Sequence, residues 1–147
     1  MKISTKGRYG LRVLMDIASH QEKGPVILRD ISARQVISEK YLWQVINPLK
    51  AAGLVNSTRG AKGGYVLAKA PVDISLLEIV TILEGPVSVV DCVGSPDQCG
   101  RSGACVTRDV WGKIEAGIKD AMARITLQEI VDQQKDAESG AGMSYVI

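Results

Sequence analysis

The chain contains one histidine, His20, no Gly-x-Ser-x-Gly element and no glycine-rich loop of the Walker type. Nucleophilic, general acid–base and phosphoryl-transfer chemistry need such groups gathered in one place, so no enzymatic activity is expected. No apolar run approaches the roughly 18 residues of a membrane span. The stretch Met1–Arg8 carries charges but no apolar signal-peptide core, which makes a cytoplasmic location the expectation. Cysteine is confined to Cys92, Cys99 and Cys105. An odd count without a secretion signal argues against a disulfide framework and for reduced thiols or ligands.

What the chain does have is an uneven division of charge. Residues 1–70 carry 12 Lys or Arg against 4 Asp or Glu, a net of +8; residues 71–147 carry 6 against 12, a net of −6. A basic half followed by an acidic one points to a polyanionic partner for the first half alone. With 147 residues and 46% hydrophobic content, the chain fits one compact domain, or a small domain with an appended element.

Apolar spacing and turn residues predict the order of elements. A helix runs from Thr5 to about Gln21, with Leu11, Leu14, Met15 and Ala18 on one face, and Gly24-Pro25 punctuates it. A short helix over Leu28–Gln35 follows, with Ile31 as its core residue, then a turn at Val36-Ile37. Ser38 can N-cap a third helix reaching about Ala52. Its inward face is Tyr41 or Leu42, Val45, Ile46 and Leu49; Pro48 bends it and Gly53 supplies a left-handed cap. Two short strands, 54–57 and 65–68, flank a basic glycine-rich tip, Arg59–Gly64. Residues 1–70 therefore read as a winged helix-turn-helix.

Residues 71–135 read as a short helix, a cysteine-bearing loop and a dimerisation helix. The short helix opens on a capping box, Ser75–Glu78, and stops at Gly85-Pro86. Thr107 caps the longer helix, in which Val110, Trp111, Ile114, Ile118, Met122 and Ile125 recur at 3–4 spacing. Such a stripe must be buried; pairing with the same helix of a second subunit is the expectation, and docking on its own domain the alternative. A second capping box, Thr126–Glu129, opens a short helix, and residues 136–147 read as a disordered tail. The fold class is mainly α with a small β-hairpin wing: a winged helix-turn-helix plus a long dimerisation helix.

In a helix-turn-helix the start of the second helix enters the DNA major groove. Here it presents Ser38, Glu39, Lys40, Tyr41, Trp43 and Gln44. Gln44 can pair with adenine, Lys40 with guanine or phosphate, and Ser38 with base edges or phosphate. Glu39 can accept from cytosine or simply favour a helix N-terminus. Tyr41 and Trp43 can equally be core residues. At the hairpin tip, Arg59, Lys62 and Gly63 suit a narrow minor groove, which admits a close backbone and attracts cations. Lys2, Lys6, Arg8 and Arg12 are candidate phosphate contacts. Double-stranded DNA is the partner these residues imply.

The cysteines are separated by six and five residues in a stretch rich in glycine and proline. Three thiols there can converge on an iron–sulfur cluster or zinc, although zinc sites generally include a tighter cysteine pair. Thiol-based redox sensing, or no role, stays open on spacing alone.

Met1–Arg12, Tyr41-Leu42 and Gly53–Tyr65 resemble the IscR-type bacterial regulators, a family with NsrR-like and CymR-like members. The resemblance extends through Ile74-Ser75, the three cysteines, Trp111 and Ile125–Leu127, over roughly residues 1–135. It implies a homodimeric winged-helix transcription regulator that senses iron–sulfur, redox or nitric oxide status. The implied DNA contacts are Ser38, Lys40, Tyr41, Gln44 and Arg59, and the implied ligands of an iron–sulfur cluster are Cys92, Cys99 and Cys105. A 2Fe–2S centre comes before 4Fe–4S. CymR-like members imply the alternative: no cluster, with control by a partner protein or by thiol oxidation. Two departures stand out. Where the IscR pattern places a fourth-ligand histidine, this chain has Arg108, whose guanidinium cannot ligate, and the first cysteine gap is one residue longer. The NsrR-like carboxylate position is Arg8 here. This leaves Asp91, Asp97 or Asp109, or a position open to solvent, a small thiol or a diatomic ligand.

Overall fold

The computed structural model describes residues 1–144, with side chains through Gly140. Helix α1 spans Thr5–His20, α2 Leu28–Gln35 and α3 Glu39–Ala51. Strands β1, Val55–Thr58, and β2, Gly64–Leu67, pair antiparallel with Val55 opposite Leu67 and Thr58 opposite Gly64. Then come α4, Leu76–Glu84, a short turn α5, Asp91–Gly94, α6, Val106–Arg124, and α7, Leu127–Ser144. This is a mainly helical winged helix-turn-helix with a long helix appended, and no described helix is long and apolar enough to cross a membrane.

Local chemistry explains both ends of α3. Ser38 Oγ accepts from the Tyr41 amide at 3.2 Å, capping α3. At the far end, Leu54 N–H donates to Leu49 and Gly53 N–H to Lys50, both at 3.0 Å, with Gly53 at φ 78°. That is a Schellman ending, for which glycine is the low-cost residue. The turn between α2 and α3 uses no glycine: Val36 itself is left-handed, φ 55°, at a cost of about 1–2 kcal/mol. Ser32 Oγ donates to the Ile37 carbonyl at 2.6 Å and holds that turn closed.

One core joins every helix and strand except α5 and α6. Val13, Leu14 and Ile17 of α1 pack with Ile31, Leu42, Val45, Ile46 and Leu49, and with Ile74, Ile79, Leu83, Leu127 and Val131 from the second half. The crossing of α1 with α4 is close: a Cβ on Gly10 would lie 2.1 Å from Leu83 Cδ1. The wing is anchored by Val26, which exchanges two backbone bonds with Tyr65 at 2.9 and 2.8 Å. The starts of α4 and α7 are stitched together by Leu76 N–H to Ile125 and Leu127 N–H to Ile74, both 2.8 Å.

Several expectations need correction. Thr107 does not cap α6; Cys105 occupies the cap position and the helix begins at Val106. The cysteine stretch is no featureless loop, because it contains α5 and two 3-10 turns, Pro96–Gln98 and Ser102–Ala104. Residues 136–144, expected as disordered tail, continue α7; positions 145–147 lie outside the described residues. The reason is non-local. Leu127 and Val131 dock α7 into the core, and side-chain pairs at i,i+4 spacing, such as Gln134 to Glu138 at 2.7 Å, carry the helix onward. The Thr126 capping box closes in both directions. At Ser75 only half of the box forms, since Glu78 turns outward to Lys69 at 2.8 and 2.9 Å.

Candidate DNA interface and cysteine loop

The outer side of α3 keeps Ser38, Lys40 and Gln44 exposed, while Leu42, Val45, Ile46 and Leu49 are completely buried. Tyr41 is half-buried against the core, with its ring edge-on to Tyr9 at 5.5 Å, so it braces α3 on α1. Trp43 is 49% exposed and meets Tyr65 of β2 edge-on at 6.5 Å. Trp43 and Lys50 share a notch with Arg59, Gly60 and Gly63, which sets the exposed face of α3 directly beside the wing tip. Arg59 and Lys62 are exposed. Gly63 has a structural reason of its own: a Cβ there would lie 2.2 Å from the Thr58 carbonyl oxygen. Lys6 is partly exposed near the start of α1. Arg12 is turned inward: its Nε donates to Gln35 Oε1 at 3.2 Å, its Nη2 to the Gln35 carbonyl, and its guanidinium lies over the Tyr9 ring.

Two carboxylates that the sequence reading passed over organise this region. Asp16, whose side chain is fully buried, accepts from Arg34 at 3.0 and 2.7 Å and from Gln35 at 2.9 Å. The Asp16 hydrogen bond, reinforced by its charge, raises the Arg34 pKa above its ordinary value. A charged residue between Met15 and Ile17, on an otherwise apolar face, is the signal that marked it. Glu84 ends α4, where a negative charge opposes the helix dipole, and that misplacement signals a partner elsewhere. Its Oε1 accepts from Ser4 N–H at 3.0 Å, Ser4 Oγ at 2.5 Å and Gly7 N–H at 3.0 Å. The carboxylate thus caps α1 from α4, just ahead of the cysteine stretch.

The three thiols are free and partly buried. Their donor chemistry fits a soft metal or an iron–sulfur cluster. Their arrangement does not: no three Cys, His, Asp or Glu side chains among the described residues are grouped to hold a metal ion. Arg108, at the fourth-ligand position of the IscR pattern, instead donates to the Cys92 carbonyl at 2.8 Å and to Val93 at 3.5 Å. It clamps the first turn of the cysteine stretch onto α6.

Cys105 Sγ lies 3.2 Å from Thr107 Oγ1. That hydrogen bond, with the backbone N–H groups of Arg108 and Thr107, lowers its pKa against the opposing effects of burial and Asp109. The thiolate is the nucleophilic form, so Cys105 is expected to be alkylated by iodoacetamide first. Thr107→Val should slow that reaction and move its pH midpoint upward. Mass-spectrometric mapping that places the first adduct on Cys92 or Cys99 would refute this ordering.

Helix α6 has only Glu115 buried; that carboxylate accepts from Val89 N–H at 3.2 Å and Lys119 Nζ at 2.8 Å. The Lys119 hydrogen bond is the largest influence holding its pKa below the ordinary value. Val110, Trp111 and Ile114 remain 49%, 42% and 49% exposed. The protomer itself leaves this stripe uncovered.

Comparison with known proteins agrees with the architecture. Residues 3–133 match the Rrf2 family, described as iron-dependent transcriptional regulator. The chain is 38% identical over 146 residues to the HTH-type transcriptional regulator CymR of Bacillus subtilis, covering 99% of this chain and 100% of that one. It is similar to the structure of CymR, the global cysteine regulator of B. subtilis, at a TM-score of 0.76 and 38% identity, covering 90% of this chain and 98% of that one. It is also similar to T. potens IscR, at 0.75 and 39%, covering 93% and 90%. The resemblance read from the sequence holds, and the chain belongs to the Rrf2 family of transcriptional regulators.

Proposed function

We propose that this regulator binds operator DNA as a homodimer paired through α6, with the cysteine stretch as its sensory element. The observation that carries the reading is the exposed face of α3 set beside a basic wing tip, with Trp43, Lys50 and Arg59 lining one notch. Lys40 and Gln44 read the major groove, Ser38 and Lys6 meet phosphate, Tyr41 braces the recognition helix, and Arg59, Lys62 and Gly63 enter the minor groove. Two-fold pairing through α6 would present two such faces to half-sites roughly 34 Å apart.

Fluorescence anisotropy on a selected promoter fragment tests the reading. Lys6→Ala should weaken binding to all sequences and reduce the salt slope by about 0.9 per lost phosphate contact. Gln44→Ala should instead relax base preference, by about 1–3 kcal/mol at one position. Salt-independent binding, or none to any promoter, would sink the proposal.

For the sensory element, the donor set supports an iron–sulfur cluster on Cys92, Cys99 and Cys105, 2Fe–2S before 4Fe–4S. The stretch would have to close around it. A second reading, thiol oxidation without a cluster, is favoured by the lack of a three-ligand grouping among the described residues and by the lowered pKa of Cys105. Anaerobic purification with visible absorption and iron and sulfide analysis separates the two. A triple Cys→Ala variant whose DNA binding responds normally to iron and oxidants would eliminate both.

A further inference from the structure

A cavity of about 720 Å³ lies between α1, α2 and the extension of α7. Its walls include Arg12 and Ser19 from α1, Gln35 from α2, and Gln134, Lys135 and Glu138 from α7. The buried Asp16 charge at its floor is consumed by Arg34, in a paired geometry that also satisfies Gln35. Two cations remain. Among the described residues Arg12 donates hydrogen bonds to the neutral groups of Gln35, and Lys135 is exposed. Glu138 is the opposing charge at the rim, and Gln134 already donates to it. A guanidinium held by neutral acceptors, facing an ammonium across a cavity of small-molecule size, is chemistry for a compact anion.

We propose that this cavity binds a small anionic effector, carboxylate or phosphate in its charged group, between Arg12 and Lys135. The site has a route to the DNA face. Arg12 holds the Gln35 main-chain carbonyl, and Gln35 directly precedes the left-handed Val36 that turns the chain into α3. An anion that captures the Arg12 guanidinium competes with that carbonyl and loosens the turn. Because α7 supplies Lys135, the anion also ties the C-terminal helix to the helix-turn-helix. Binding itself is independent of the proposed function; its effect on DNA rests on that reading.

The test uses the full-length protein with citrate and inorganic phosphate as probes, titrated calorimetrically at matched ionic strength. One probe should bind once per chain and lose about tenfold or more in affinity in Lys135→Ala, the scale of one charged hydrogen bond. The tighter probe identifies the charged group as carboxylate or phosphate. Absence of heat with both, or binding unchanged in Lys135→Ala and Arg12→Gln, overturns the site. Saturating probe should then shift promoter affinity in the wild type and leave Lys135→Ala unmoved. An equal shift in both proteins is bulk ion competition and overturns the coupling. Failure of DNA binding with and without probe counts against the DNA reading, while the calorimetric result stands.

Discussion

Replacing Asp16 with alanine is expected to cost about 3 kcal/mol, the lower end of what removing one partner from a buried ion pair costs. The Asp16 side chain is fully buried, and its carboxylate accepts three hydrogen bonds, two from Arg34 and one from Gln35. Without it, Gln35 loses its acceptor and the guanidinium loses its counter-charge. The Arg34 side chain is 34% exposed, so water offsets part of the loss, which places the effect at the lower end. A change of that size corresponds to about 10 °C in melting temperature for a chain of this length. Asp16→Asn keeps the shape and one acceptor and should cost less. Thermal unfolding within 2 °C of the wild type, or about, would show that the network is not stabilising. The same variant should also weaken DNA binding, since the network ends on the turn before α3.

Ile114→Asp is the second large effect, and it acts on assembly rather than on folding. Ile114 sits mid-stripe on α6, half-exposed in the protomer, so an aspartate there meets water in the monomer and costs little. In a dimer paired through this stripe the carboxylate is buried without a partner, a cost of several kcal/mol for each ion. Sedimentation should show a monomer at concentrations where the wild type is dimeric, with helical circular dichroism unchanged. Promoter affinity should drop by about 100-fold or more, because each half-site must then be bound without the avidity of the pair. An Ile114→Asp protein that stays dimeric refutes the assignment of α6 to the interface.

The residues most legible in advance were those whose role is local. Ser38 and Gly53 marked the ends of α3 because a cap is decided by one side chain and its own backbone. The wing followed from glycines and β-branched residues in short order. Apolar spacing found the buried face of α3, where Leu42, Val45, Ile46 and Leu49 are wholly enclosed. Trp43 was undecidable because its environment is the wing, supplied by Tyr65 some twenty positions away. The extension of α7 was missed because a helix without an apolar stripe has no periodicity to detect; its support comes from Leu127 and Val131 in a distant core. Glu84 and Asp16 were passed over for the same reason, since their partners lie 80 and 18 residues away.

By itself the sequence determined the order of the main helices and the wing strands, the caps of α3, the division of charge and the family resemblance, because each rests on interactions between near neighbours or on residue types alone. Tertiary structure decided the rest. It decided that α6 leaves Val110, Trp111 and Ile114 uncovered, that Arg108 clamps the Cys92 turn, and that the three thiols are not gathered into one metal-holding group. It also put Arg12 and Lys135 across one cavity. Burial and convergence depend on which distant segments share a core, and packing specifies that only once the chain has folded.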